Sequence, residues 1–336
     1  KITYNGHCCT LKENLKEYVK NLLNVNDAVI EDGIINLKVN NEIVVEDRDG
    51  EEWIYLYSFY NAENQIAQNI LGLDRYKNVK KVSNIEKELK IVEESTDILL
   101  SEKQKEAIRA INNNNVTIIT GGPGTGKTTI IKSIIEIYKQ KKYKIVLCAP
   151  TGRAAKRMTE TTGEEASTLH RLLEIGKVDE ESLFKKDNEY QGAPIDGDII
   201  IVDEVSMVDM FIMSYLLDCI YKGTKLILVG DCDQLPSVGP GSVLKDLISS
   251  EKITTVHLDK IFRQAAKSKI IVNAHRVNSG KKFISKEDKE MEEDSKQDFF
   301  FIKENNQEKI LEQVLSLCNG RLKKFGDYDF FENIQV

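Results

Sequence analysis

The sequence predicts an α/β doubly wound domain built on a parallel sheet and preceded by a small α+β module. Three observations carry that prediction. Four apolar runs, Val116 to Thr120, Lys144 to Cys148, Asp198 to Val202 and Lys225 to Val229, alternate with amphipathic helical patterns. Strands that are apolar throughout belong to sheets covered on both faces. A glycine-rich run, Gly121-Gly-Pro-Gly-Thr-Gly-Lys127-Thr128, joins the first of these strands to a helix. Polar residues follow the third and fourth strands, at Asp203-Glu204 and at Gly230-Asp231-Cys-Asp-Gln234, where the loops of an open parallel sheet share one crevice.

Residues 1–72 read as a winged-helix-like module. Leu11, Leu15, Tyr18, Val19, Leu22 and Leu23 share one helical face, and a second helix is predicted over Asp27 to Val39, weakened by Gly33. Ile43 to Val45 and Trp53 to Tyr57 flank Asp47-Arg-Asp-Gly50, a hairpin signal, and a further helix is expected over Asn61 to Leu71. Such a module suits DNA contact or plain packing. Residues 73–97 read as a linker, centred on Lys77 to Lys81, and a helix opened by the capping box Ser83-x-x-Glu86. Residues 98–280 form the α/β lobe. Residues 281–336 begin with a charged stretch, Ser285 to Asp298, expected to be a solvated loop. Phe299 to Ile302 and Ile310 to Leu317 then read as a strand and a helix.

Composition excludes several classes. Hydrophobic residues make up 41% and charged residues 30% of the 336, which suits a folded chain and not a disordered one. No apolar stretch approaches the roughly 18–20 residues that span a bilayer, so no membrane partner is expected and the location is read as cytoplasmic. The net charge of −7 argues against a general polyanion binder. Locally, however, Lys139 to Glu160 carries seven Lys or Arg against one acid, a basic strip. Six cysteines without a CxxC pair read as inert thiols, and His7-Cys8-Cys9 lacks the second half of a metal site. Met207, Met210 and Met213 step at helical spacing and are expected in the core.

The glycine-rich run matches G-x-x-x-x-G-K-[ST] at every constrained position, in the strand–helix context the motif requires. Its backbone N–H groups, from Gly121, Gly122, Pro123 (which lacks one), Gly124, Thr125 and Gly126 through Thr129, are placed to surround phosphate oxygens at a helix N-terminus. Lys127 neutralises β- and γ-phosphates, and the Thr128 hydroxyl is a Mg²⁺ ligand. Such a loop needs an acid on a neighbouring strand tip. Asp203 fills that place, holding the metal through water, and Glu204 is the candidate general base for an attacking water. Gln234 reads either as a reporter of the γ-phosphate or as part of a polar turn.

Six motifs then occur in order: GGPGTGKTT (121–129), APTGRAAKRM (149–158), ASTLHRLL (166–173), IIIVDEVSMVD (199–209), VGDCDQLPSVGPGSVL (229–244) and IFRQAAKSKIIVNAHRVNSG (261–280). Together they resemble the RecD-like branch of superfamily 1 DNA helicases, the exodeoxyribonuclease V alpha-subunit family, in its longer stand-alone form. The resemblance implies a RecA-like ATPase lobe using ATP and Mg²⁺, with single-stranded DNA as partner, 5′ to 3′ movement and a role in recombination or repair. It assigns Gln104 to adenine, and Thr151, Gly152 and Arg153 with Thr168 and His170 to the DNA strand. Gln234 becomes the link between ATP state and DNA grip, and Arg263 a cation for the γ-phosphate. It also implies a small strand-splitting hairpin at 175–195, with Phe184 and Tyr190 as stacking residues.

Only 56 residues follow Gly280, against about 150 for a second lobe. The sequence is therefore expected to be a fragment that binds Mg·ATP and does not unwind duplex alone. A GTPase is disfavoured because no NKxD motif is present. A conjugative relaxase helicase or a non-catalytic DNA-binding scaffold remains the competing class.

Overall fold

The apolar segments find partners as their patterns require in a computed structural model that describes residues 6–175, 193–262, 267–284, 298–322 and 334. The chain divides into two units, Lys1–Arg263 and Gln264–Val336.

In the first unit, β1 (Cys9–Leu11), α1 (Lys12–Leu23), α2 (Asp27–Val39), β2 (Ile43–Arg48) and β3 (Glu51–Leu56) form an antiparallel sheet of order β1-β3-β2 beside two helices. The hairpin turns as predicted. Asp49 and Gly50 both have positive φ, 55° and 87°, which matches the twist of the flanking strands. Two helices followed by this hairpin give the winged-helix-like shape. Its own core is small: Ile30, Ile34, Ile43 and Ile54, with Leu15 and Val19 packed against them. The predicted face of α1 is used at Leu15 and Val19 but not at its end, since Leu22 and Leu23 are 63% and 62% exposed.

The next helix, α3 (Tyr57–Asp74), exceeds the predicted Asn61 to Leu71 and joins a different core. Phe59, Ala62, Ile66, Ile70 and Leu73 pack into the lobe that follows. That lobe contains α4 (Ile85–Thr96), α5 (Glu102–Asn113), β4 (Val116–Gly121), α6 (Lys127–Lys139), β5 (Ile145–Ala149), α7 (Gly152–Thr162), β6 (Ala166–Thr168), α8 (Leu169–Leu172), β7 (Ile199–Val202), α9 (Met210–Asp218), β8 (Lys225–Gly230), α10 (Val243–Ser249) and β9 (Thr254–Leu258). The sheet order is β6-β5-β7-β8-β4-β9, and every pairing is parallel.

Alternation along the central strands explains why they are apolar throughout. Ile199, Ile201, Ile227 and Val229 face Leu89, Ile108, Ile131 and Ile134 of α4, α5 and α6. Ile200, Val202, Leu226 and Leu228 face Phe59 and Ile70 of α3 and Phe211 and Met213 of α9. The Phe59 and Phe211 rings meet edge to face at 5.2 Å. The wing module therefore supplies one wall of the lobe's core.

Two readings are corrected here. The helix α4 is capped by Asn84, whose side chain accepts from the Lys87 N–H at 3.1 Å. Ser83 does not cap it. Met210 and Met213 are core residues, but Met207 is 45% exposed, because Val205–Met207 forms a short 3₁₀ turn that breaks the helical spacing.

In the second unit, α11 (Lys269–Asn278) is capped by Ser268, and Asp298 Oδ1 also accepts from the Lys269 N–H at 2.8 Å. The helix α12 (Gln307–Ser316) matches the predicted Ile310 to Leu317. The predicted strand at Phe299 to Ile302 does not form. Its residues have no strand partner, and the Phe299 and Phe301 rings instead pack on Phe283. Most of the hairpin at 175–195, including Phe184 and Tyr190, nearly all of the Ser285 to Asp298 loop, and Arg263 lie outside the described residues. Among the described residues no helix is long and apolar enough to cross a membrane.

Candidate active site

The parallel topology puts every strand's carboxyl end on one edge of the sheet, and the predicted residues that are described lie along it or beside it. After β4 the chain makes the glycine-rich loop and enters α6 with Gly126 as its N-cap, at φ 85°. Thr125 is buried, and its hydroxyl donates to the Gly122 carbonyl at 2.8 Å. The Lys127 ammonium donates to the carbonyls of Gly121 and Gly122 at 2.5 and 3.2 Å, which holds its charge in the mouth of the loop.

Gly126 is required for more than its φ. A Cβ there would lie 2.3 Å from Gln104 Nε2 and 2.9 Å from the Phe262 ring. The Gln104 side chain completes the capping box of α5 and also donates from Nε2 to the Gly126 carbonyl at 3.3 Å. Phe262 is pinned by its N–H, which donates to the Gly124 carbonyl at 3.2 Å. Sequence reasoning named Gln104 but not Phe262, although it lies inside the motif that carries Arg263.

At the tip of β7, Asp203 receives the Glu204 N–H on Oδ1 at 2.9 Å. Burial raises its pKa above the usual carboxylate range, the Glu204 charge adds to this, and Lys127 and Arg157 oppose it. Glu204 adopts a left-handed backbone, φ 53°, uncommon for a residue with a side chain. Its Oε2 is buried without a hydrogen-bond partner, where such atoms are rare.

At the tip of β8, Gln234 is exposed, and its Oε1 accepts from the Ser206 hydroxyl at 3.4 Å. Ser206 thus links this loop to the acidic turn, a bridge the sequence motifs do not announce. The Thr120 hydroxyl of β4 accepts from the Cys232 N–H at 3.2 Å, tying the same loop to the strand before the glycine-rich run.

On the other flank, Thr151 caps α7 by accepting from the Ala154 N–H at 3.2 Å, and Gly152 and Arg153 stand exposed in its first turn. Thr168 caps α8 by accepting from the Arg171 N–H at 3.1 Å, with His170 exposed beside it. Ala149 and Thr168 are register partners in β5 and β6, so the two motifs sit at adjacent strand ends. The basic strip is a correction. Lys139 pairs with Glu164, Lys141 with Glu88, Lys144 with Asp196 and Lys156 with Glu160. Three of these partners lie outside the run, so part of its charge is offset by side chains distant in sequence, while Glu160 is the run's own acid.

The oxygen donors Thr128 and Asp203 suit a hard divalent cation, which takes one or two protein oxygens and completes its shell with water and phosphate. The unpartnered Glu204 oxygen marks the same place as unfinished. Among the described residues no group of three His, Cys, Asp or Glu forms a separate metal site. The Cys8 thiol lies 3.4 Å from the Met210 sulfur instead.

A family model described as an AAA domain matches residues 104–240. The chain is 41% identical over 181 residues to the ATP-dependent RecD2 DNA helicase of Deinococcus radiodurans, covering 54% of this chain and 24% of that protein. It is 35% identical over 263 residues to the RecBCD enzyme subunit RecD of Buchnera aphidicola subsp. Acyrthosiphon pisum, covering 68% and 42%. The chain thus spans less than half the length of these curated relatives. The crystal structure of the Pif1 helicase from Candida albicans aligns with 50% of this chain and 41% of its own, at 27% identity and a TM-score of 0.36. With six ordered motifs, the six-stranded parallel sheet and these sequence matches together, the chain is RecD-like, similar to the RecD-like branch of the superfamily 1 helicases.

Proposed function

We propose that this chain is the first motor lobe of an ATP-driven helicase that moves on single-stranded DNA, 5′ to 3′ by resemblance, in recombination or repair. The observation that carries the reading is Glu204. A buried carboxylate oxygen with no partner, on a strained backbone next to Asp203 and on the same sheet edge as Lys127, suits a base that orients and deprotonates water. Thr128 and Asp203 would hold Mg²⁺, which supplies charge neutralisation at the transferred phosphoryl group. Lys127 would bind the β- and γ-phosphates within the loop. By resemblance Gln104 would contact adenine, and Arg263 would add its cation from the sixth motif.

The DNA strand would cross the flank formed by Thr151, Gly152, Arg153, Thr168 and His170, where helix starts offer N–H groups to phosphates. The bridge from Ser206 to Gln234 joins the acidic turn after β7, the strand next to β5, to the loop after β8, which supports a coupling path between them. A cytoplasmic setting belongs to the same reading, and the printed role of the Buchnera relative as a RecBCD subunit makes a multi-subunit partner a second element of it. Duplex separation is expected to require more than this lobe.

ATP hydrolysis measured with and without oligothymidylate tests the proposal. Hydrolysis that rises with the oligonucleotide and disappears in Lys127→Ala supports it. Hydrolysis indifferent to Lys127→Ala would overturn it.

A further inference from the structure

The opposite edge of the same sheet carries a second feature that the motor reading does not use. Parallel strands all begin there, and the segments preceding β5, β7 and β8 meet the chain that follows α3. Between them lies an open cavity of about 770 Å³, within the size range of small-ligand sites. Its wall holds three tyrosines, Tyr76, Tyr143 and Tyr221, and four lysines, Lys80, Lys81, Lys144 and Lys222.

The Tyr76 and Tyr143 rings rest against neighbours, and the backbone at Tyr221 is fixed by a turn. Asn115 Nδ2 donates to the Tyr76 carbonyl at 2.7 Å. The turn at Gly223 comes close against the Tyr76 ring. A Cβ on Gly223 would lie 3.0 Å from that ring, and its φ of 91° also excludes most side chains. Tyr221 stands 59% exposed at the start of this turn, which is closed by the Thr224 N–H donating to the Tyr221 carbonyl at 3.0 Å. Tyr143 leans on the buried Tyr138 with ring centroids 5.7 Å apart.

The charges divide into spent and available ones. Lys80 pairs with Asp198, and Lys144 pairs with Asp196 at 2.5 Å. Asp198 is further tied by the Lys144 N–H at 2.8 Å. Those two acids therefore offset Lys80 and Lys144 and leave Lys81 and Lys222 as the net positive charge of the wall. Exposed rings among cations are the combination that takes bases by stacking and phosphates by charge. An acidic peptide would use the lysines but leave the rings without a role.

We propose that the amino-terminal edge of the sheet is a second binding surface for a segment of single-stranded nucleic acid, with Tyr76 and Tyr221 as stacking platforms and Lys81 and Lys222 as phosphate contacts. Lining residues of the motor site are absent from it, so it stands or falls apart from the ATP reading. It would hold strand away from the carboxyl-edge track.

Fluorescence anisotropy of a labelled oligothymidylate, titrated with the whole chain at several salt concentrations, tests this. Tyr221→Ala is expected to weaken binding roughly 5- to 150-fold, the span of one lost base stack. Lys81→Ala with Lys222→Ala is expected to lower the salt slope by about 1.4, two single-strand phosphate contacts. Both losses should add to that of Arg153→Ala at the other edge. An iodouridine-substituted oligonucleotide should crosslink to the peptide carrying Tyr221. These side chains lie on the surface, and equal melting temperatures of the variants verify the fold. Unchanged affinity and slope in both variants would overturn the proposal. So would displacement of the oligonucleotide by polyaspartate as readily as by unlabelled oligothymidylate, since charge alone would then explain the binding.

Discussion

Gln104 ties the start of α5 to the phosphate loop: its Oε1 accepts from the Ser101 N–H at 2.9 Å while its Nε2 donates to the Gly126 carbonyl at 3.3 Å. The side chain is 1% exposed, so both bonds lie where water cannot replace them. The residue that resemblance assigns to adenine thus also fixes the last turn of the loop proposed to hold the phosphates.

Removing this tie should cost stability and nucleotide affinity together. Gln104→Ala loses a cap and a buried bond, about 1–3 kcal/mol by denaturant unfolding. Gly126→Ala should do at least as much harm, because its methyl group meets Gln104 and Phe262 at a positive φ. A Gly126→Ala protein that melts with the wild type would contradict the tight approach described here.

The wing module should not unfold on its own. Its last helix places Phe59 against Phe211 inside the lobe's core. Phe59→Ala is expected to cost about 3–5 kcal/mol, with loss of a single cooperative transition. Separate melting of the N-terminal helices, with the lobe unaffected, would show that α3 is not part of that core.

Lys225 predicts an unusual pH dependence. It is 1% exposed, and its ammonium donates to the carbonyls of Ile111 and Asn114 at the end of α5. Burial, with Lys81 and Lys80 nearby, lowers its pKa to about 7, and Asp74 only partly opposes this. The unfolded chain then binds more protons than the folded one between about pH 7 and the ordinary lysine pKa, so stability rises with pH across that window. Urea unfolding at pH 7 and pH 9.5 should differ by up to about 3 kcal/mol. Lys225→Met should flatten the difference.

Gln234 is expected to act on coupling rather than on binding. Gln234→Ala and Ser206→Ala each break the 3.4 Å bridge between the β8 loop and the acidic turn. Mg·ATP affinity should stay within about twofold, since neither side chain is in the phosphate loop, while stimulation by oligothymidylate should fall about tenfold or more. Equal stimulation in both variants would remove Gln234 from the coupling path.

Much of this was legible in the chain itself. The four central strands are apolar throughout because both faces are covered, and the glycine-rich run carries its own chemistry. The edge strands β6 and β9 were not legible, because Ala166–Thr168 is short and polar and Thr254–Leu258 alternates with exposed His257. Phe299 to Ile302 has strand composition but no strand to pair with among the described residues. The basic strip is weaker than it reads for a related reason: Glu88, Glu164 and Asp196, which pair with three of its lysines, come from outside the run. Ser83 lost the cap to Asn84 by one residue, a shift that spacing alone does not resolve. The Ser206 bridge and the close approach of Gly126 to Phe262 depend on tertiary geometry and have no local signal.

The most direct measurement is Mg·ATP binding and hydrolysis by the chain with Lys127→Ala and Glu204→Gln compared side by side. Lys127→Ala should lose binding about tenfold or more, whereas Glu204→Gln should bind at wild-type affinity and hydrolyse at least about a hundredfold more slowly. If Glu204→Gln hydrolysed ATP at the wild-type rate, the buried carboxylate at the tip of β7 would not be the base, and the catalytic reading of this sheet edge would be wrong.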